Sequence, residues 1–305
     1  MPALLVRFRT YIRCLPAPDT VYCLLRPLRR RQLRDAMRSR RHPVAGAHHG
    51  PPSRPAPRNR LLAALPPEDL ATLWPQLKLV ELPIRQVLHA PEQPITEIYF
   101  PETGYVSMLA YMEDGDAIEV GQIGFDGVVG IPVLLEGDSD GLEAMVQHPG
   151  TALRMSAAAL REMLASMPTL HPLLLRYALV HHQQVARTGA CNGRHGVAER
   201  LARWLLMAHD RTEGDTFPMT QEFMSMMLGV RRAGVSVAAR LLQKADFIHY
   251  ERGQITVTNR PGLEAAACEC YGIVRRASDR FHGQHTGASR LACQYGARCQ
   301  PEAGS

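Results

Sequence analysis

Two adjacent arginines, Arg231 and Arg232, stand just after Gly229-Val230 and open a helical pattern predicted over 230–245. A guanidinium at such a position can grip guanine O6 and N7 with two parallel hydrogen bonds, the commonest specific contact to a base edge. Ser236 and Arg240 can project from the same outward face, while Val235, Ala238, Ala239, Leu241 and Leu242 are available for an inner one. Upstream, Thr220 can cap a short helix carrying Phe223, Met224, Met226, Met227 and Leu228. Gly229 then permits the left-handed backbone that ends one helix and begins a sharp turn. Downstream, two β runs at 247–250 and 254–257 are joined by Glu251-Arg252-Gly253. The order of cap, helix, glycine turn, arginine-led helix and hairpin spells a winged helix-turn-helix. Its duplex-contacting set is predicted to include Thr220, Arg231, Arg232, Ser236, Arg240 and, on the wing, Arg252.

Other reactive side chains form weaker patterns. Cys268-x-Cys270 with Cys293 and Cys299 fits no common zinc spacing, and Cys14 and Cys23 are too sparse for an iron–sulfur motif. Cys191 is read as a structural thiol rather than a redox switch. A haem would need one axial histidine, and His89, His148, His171, His195 and others of the 13 histidines are equal candidates. No metal and no cofactor are therefore expected. Glu113, Asp114 and Asp116 read as a solvated turn. With no Gly-rich phosphate loop, nucleophile elbow or His-Glu metal helix, an enzyme is not expected.

These residues need a scaffold, and the text before them supplies one. Short β-rich runs at 79–83, 86–90, 96–100, 105–112, 117–123, 144–147 and 151–155 alternate with Gly/Asp turns, the signature of a barrel or sandwich. Ser156 can cap a helix that Pro168 stops. A long helix is predicted from 170 to about 188. Its Leu174, Ala178, His181 and Val185 recur at coiled-coil spacing and are predicted to be a dimer seam. In 197–210, Val197, Leu201, Trp204, Leu205 and Ala208 form one buried face.

Charge is distributed unevenly over the 305 residues. Residues 1–60 are Arg-rich at net +12, residues 61–150 carry net −13, and residues 192–260 carry net +3. An acidic body beside a basic module suits a duplex-binding protein with a separate sensing part. Residues 1–58, rich in Arg and Pro, and residues 282–305 lack a periodic apolar face and are read as disordered tails; a start at or after Met37 would remove most of the first. No run approaches the roughly 20 apolar residues a membrane span needs, and the cysteine spacing suits a reducing cytoplasm.

From Asn59 to about residue 280 the text resembles a Crp/Fnr-type transcription regulator. MTQEFMSMMLGVRRAGVSVAARLLQKADFIHYERGQITV carries the likeness, supported by NRLLAALP and RLARWLLMAHD. The resemblance implies an α+β fold. A cyclic-nucleotide-binding-like β-roll (59–167) would be followed by a dimerisation helix and hinge (168–191) and a winged helix-turn-helix with a C-terminal helix (192–281). It also implies a cytoplasmic bacterial homodimer on a near-palindromic duplex site, its reading helices about one DNA turn apart, with RNA polymerase as partner if it activates.

Residue by residue, the resemblance makes Arg232 the main guanine reader, Arg231 its neighbour and Gln221 a phosphate contact. Ala233 and Val237 depart from the family's usual glutamate and second arginine, so the operator sequence is not transferable. The usual phosphate cradle is absent too. Gly130 is followed by Ile131, and no arginine occurs between Arg85 and Arg154. Tight cyclic-nucleotide binding is therefore not expected, and the effector stays unassigned. A second reading keeps the fold as a ligand-binding or interaction module with vestigial DNA binding.

Overall fold

The computed structural model describes residues 56–283. The predicted tails at 1–58 and 282–305 lie almost wholly outside them.

The chain opens with two short helices, α1 (Arg60–Ala63) and α2 (Pro67–Leu73). Asn59 starts α1 by accepting from the amides of Leu61 and Leu62, while its own amide group donates to Pro101 O and Gly127 O. Seven strands follow: β1 (Lys78–Leu82), β2 (Val87–His89), β3 (Glu97–Pro101), β4 (Tyr105–Tyr111), β5 (Ala117–Ile123), β6 (Glu143–His148) and β7 (Gly150–Ser156). They form two antiparallel sheets, ordered β1-β7-β3 and β2-β6-β4-β5. A one-turn helix, α3 (Ile131–Leu134), interrupts the run between β5 and β6. All seven predicted runs are strands, because alternation and turn chemistry agree at each of them.

Side chains on β4 point alternately to two cores. Val106 and Met108 belong to the roll's interior with Ile123, Val129 and Val146, whereas Tyr105 and Leu109 join the C-terminal cluster around Trp204 and Leu205. The outer face of this sheet is thus not solvated but packed under the helices that follow.

Ser156 caps α4 (Ala157–Ser166), its Oγ accepting from Ala159 N at 3.1 Å. Helix α5 (Leu170–Arg194) runs a turn and a half beyond its predicted end. Leu170, Leu173, Leu174, Tyr177, His181, Gln184, Thr188 and Cys191 form its buried face. This corrects the expected dimer seam. Leu174 and His181 are covered by the chain's own core, and Ala178 and Val185 are half-buried beside them. Gly121 lets β5 approach this helix, since a Cβ there would lie 3.0 Å from His181 Nε2. The stripe left open is one position round the helix: Leu175, Leu179, His182, Ala186 and Gly189, all exposed.

Helix α6 (Val197–His209) then packs centrally, followed by β8 (Thr216–Pro218), α7 (Gln221–Leu228), α8 (Arg232–Lys244), β9 (Ile248–Glu251), β10 (Gln254–Val257), α9 (Arg260–Ala266) and α10 (Cys270–Gly283). Among the described residues no helix is long and apolar enough to cross a membrane.

Candidate nucleic-acid interface

Thr220 begins α7 as predicted, its hydroxyl accepting from Phe223 N at 3.2 Å. Met224, Met227 and Leu228 bury the inner face of α7. Gly229 ends it at φ +59°, with its amide and that of Val230 donating back to Met226 O and Ser225 O. The turn needs glycine for its left-handed conformation, and a Cβ there, 2.6 Å from Ile118 Cδ1 on β5, would also make that side chain shift.

Helix α8 is held by Val235, Ala238, Ala239 and Leu242, all buried. Arg231 is its extended N-cap rather than a residue of its first turn, which corrects the predicted start by two positions. The correction leaves both arginines at the helix's leading end, where both are exposed. Arg232 pairs with Glu222 at 2.7 Å, with both side chains largely in solvent. A surface pair of this kind is worth little and can exchange for a stronger anion. Ser236 Oγ donates to Gln221 Oε1 at 2.9 Å, so two predicted contact residues are tied together at the α7–α8 crossing. Arg240 lies one turn further along and is exposed. Val237 is 53% and Leu241 55% exposed, so Leu241 lies off the inner face predicted for it, and Gln243 and Lys244 are exposed near the helix end.

The wing is a three-stranded sheet, β8-β10-β9, of which the short β8 escaped sequence analysis. Arg252 and Gly253 turn the β9–β10 hairpin with φ of 51° and 75°, the left-handed pair that a two-residue hairpin turn requires. The Arg252 side chain is 90% exposed beside Glu251. Of the predicted set, Gln221 and Ser236 touch, Arg231, Arg232 and Arg240 are exposed along α8, Arg252 is exposed on the wing, and Thr220 serves as the cap.

Polar ties hold this head together and onto the roll. Arg260 bridges Asp210 at 2.6 Å and Glu264 at 3.0 Å, and Tyr271 Oη donates to Asp210 at 3.0 Å, binding α9 and α10 to α6. Arg200 donates to Leu228 O at the end of α7, and Arg203 to Thr188 Oγ1 on α5 at 2.9 Å. Glu119, buried on β5, accepts from Trp204 Nε1 at 2.7 Å, Gln122 Nε2 at 3.0 Å and Ser107 Oγ. Burial pushes its carboxyl up to about 7 despite these donors. Asp126, after β5, pairs with Arg211 after α6 at 2.7 Å, and this guanidinium keeps its carboxyl below the usual range against the opposing effect of burial.

In the roll, Gly130 precedes α3 with Ile98 and His89 nearest to it, and α3 buries Pro132, Val133 and Leu134. The thiols contain a surprise. Cys268 and Cys270 group with Cys191 and His195, which sequence analysis had kept apart from them. Cys293 and Cys299 lie outside the described residues.

An arginine-led helix crossing a capped helix at a glycine turn, followed by a wing, defines a winged helix-turn-helix protein. Residues 199–266 match the family model of the Crp-like helix-turn-helix domain. Among solved structures, the fold is similar to that of FixK2 from Bradyrhizobium japonicum, at 18% identity and TM-score 0.55 over 63% of this chain and 98% of that one. It is also similar to the c-di-GMP-responsive regulator CLP of Xanthomonas campestris, at 18% identity and TM-score 0.50 over 62% and 98%. A CRP-family transcriptional regulator from Thermus thermophilus matches at 18% identity and TM-score 0.50 over 62% and 96%. At such identities the likeness is one of fold. No curated protein matches the chain. Residues 199–266 are thus a Crp-like helix-turn-helix domain, set in a chain whose fold is similar to that of these regulators.

Proposed function

We propose that the protein binds duplex DNA as a homodimer and regulates transcription from a near-palindromic site in the bacterial cytoplasm. The observation that carries this reading is the leading end of α8. Two exposed arginines project there from a helix whose opposite face is fully engaged in the core. Arg232 and Arg231 read base edges, and Gln221, Ser236, Arg240 and Arg252 contact the backbone and its flanks. Val237, exposed at the centre of the outer face, offers an apolar contact to a thymine methyl group.

A second copy supplies the other half-site. Leu175, Leu179, His182, Ala186 and Gly189 recur at 4-3-4-3 spacing along the open face of α5, the pattern of a two-helix seam. A parallel pairing there would place two reading heads side by side. The signal acts through the roll without the usual cyclic-nucleotide chemistry, since Ile131 follows Gly130 and no arginine occurs in sequence between Arg85 and Arg154 to meet a cyclic phosphodiester.

The experiment is selection of the full chain on randomised duplex DNA, followed by sequencing. A two-fold symmetric consensus with half-sites about one helical turn apart supports the reading. Enrichment of half-sites at random spacing would refute the dimer, and recovery of unselected sequence would refute specific reading.

A further inference from the structure

Four metal-ligating side chains converge at the junction of α5, α6 and α10. Cys191 lies in the last turn of α5 and His195 directly follows that helix. Cys268 lies in the link between α9 and α10, and Cys270 is the first residue of α10. One ligand atom from each, three Sγ and an imidazole nitrogen, all lie within 4.8 Å of one another. Cys191 Sγ is 3.4 Å from Cys268 Sγ, and Cys270 Sγ is 3.7 Å from His195 Nδ1. Around a tetrahedral ion with bonds of about 2.3 Å to sulfur and about 2.0–2.1 Å to nitrogen, ligand atoms are separated by roughly 3.5–3.8 Å. The observed spacing is close to that shell. A [4Fe–4S] cluster would place each of its terminal ligands on a separate iron, and a [2Fe–2S] cluster would divide them between two irons, spreading them further.

Two independent features support a site rather than a chance grouping. The first is the orientation of His195. Its Nε2 is 3.2 Å from Glu269 Oε2 while Nδ1 faces Cys270. A carboxylate accepting the N–H on one side fixes the tautomer that leaves the other nitrogen free to coordinate, the usual arrangement behind a metal-bound histidine. The second is charge. Arg200 and Arg203 are buried, and neither forms a salt bridge among the described residues, yet both act electrostatically on Cys191. A divalent ion held by three thiolates and one neutral imidazole has a single net negative charge, which these guanidinium groups would balance.

We propose that Cys191, His195, Cys268 and Cys270 form a closed structural site for one zinc ion. Three sulfurs and one nitrogen in tetrahedral array, with no position left for water, is the donor set zinc takes in structural sites. The ion would cross-link the end of the long helix to the start of the C-terminal helix, two segments more than seventy residues apart in sequence. It would thereby set how α6 leaves α5, and with it the seating of the helix-turn-helix. This inference does not depend on the DNA-binding reading.

The test uses the full chain with Cys14, Cys23, Cys293 and Cys299 replaced by serine, so that only the three clustered thiols remain. Purified under reducing conditions and reconstituted with excess zinc, it is expected to retain one zinc per chain through gel filtration, by elemental mass spectrometry. X-ray absorption should give a first shell of three sulfurs and one nitrogen. Adding Cys268→Ser and Cys270→Ser should reduce the bound zinc to below about a tenth of that value. Absence of stoichiometric zinc in the parent, a shell of nitrogen and oxygen alone, an iron–sulfur chromophore, or full retention by the added serines would each overturn the proposal. Should the serine variant fail to fold, the absorption spectrum of the parent still decides.

Discussion

Glu119 on β5 and Trp204 on α6 meet through a 2.7 Å hydrogen bond, a buried carboxylate oxygen accepting from the indole N–H. The contact joins the roll to the helix that carries the reading head, within the core shared by Tyr105, Leu109 and Leu205. Burial raises this carboxyl from 4.5 to about 7, so the folded protein holds its proton more tightly than the unfolded chain does. The stability this adds is full below about pH 4.5 and is lost as pH climbs through about 7. Stability of the native protein relative to Glu119→Gln should therefore fall by up to roughly 3 kcal/mol between about pH 5 and pH 8, by chemical denaturation. Glutamine mimics the protonated side chain without titrating. His181, pushed down to about 4 by burial, adds an opposite slope, but it is common to both proteins and cancels. A pH-independent difference would contradict the assignment.

The Asp126–Arg211 pair makes a second tie between roll and head. Both side chains are mostly buried, and Arg211 Nε has no partner. Asp126→Ala leaves a buried guanidinium without its counter-charge and should cost about 3–5 kcal/mol. Asp126→Ala combined with Arg211→Met should cost clearly less, as the double-mutant cycle will read. Additive losses would show that the two residues do not act as a pair.

Much of this architecture could be read before any coordinates. The strands announced themselves because alternation and turn residues coincide, and the head did so because Thr220, Gly229 and Arg231-Arg232 each have a local physical role. Other features depend on what lies opposite. Glu119 occupies an alternating position that looks solvent-facing, and only the packing of α6 onto that sheet makes it buried. On α5, two neighbouring stripes are both apolar enough to be a seam, and periodicity cannot tell which one the roll covers. Strand β8 has three residues and ends in Pro218, too short for any period to show. Cys191 and Cys268 are remote in sequence, so their spacing resembles no metal motif.

The turn between α7 and α8 should tolerate no side chain. Gly229→Ala adds the cost of a left-handed alanine, about 1–2 kcal/mol, and a contact with Ile118. Thermal denaturation should show a fall in Tm, of which Ile118→Ala recovers only the steric part. Full recovery would mean that the backbone conformation at Gly229 is unstrained.

The proposed dimer gives the two faces of α5 different roles. Leu179→Arg, on the open stripe, should give a folded monomer in analytical ultracentrifugation with an unchanged circular dichroism spectrum. Leu174→Ala should instead lower stability by about 2–5 kcal/mol, because it opens a cavity in the chain's own core. A Leu179→Arg protein that remains dimeric would place the partner surface elsewhere.

The central claim is that the leading end of α8 reads DNA. Its most direct test is fluorescence anisotropy on the selected duplex across a salt series, comparing the native chain with Arg231→Ala/Arg232→Ala. Loss of two bidentate contacts worth about 1–3 kcal/mol each predicts at least a tenfold rise in Kd. Affinity of the native chain should also fall steeply with salt as phosphate counterions are released. An unchanged Kd in the folded double variant would contradict the account, because the duplex would then be held by some other surface.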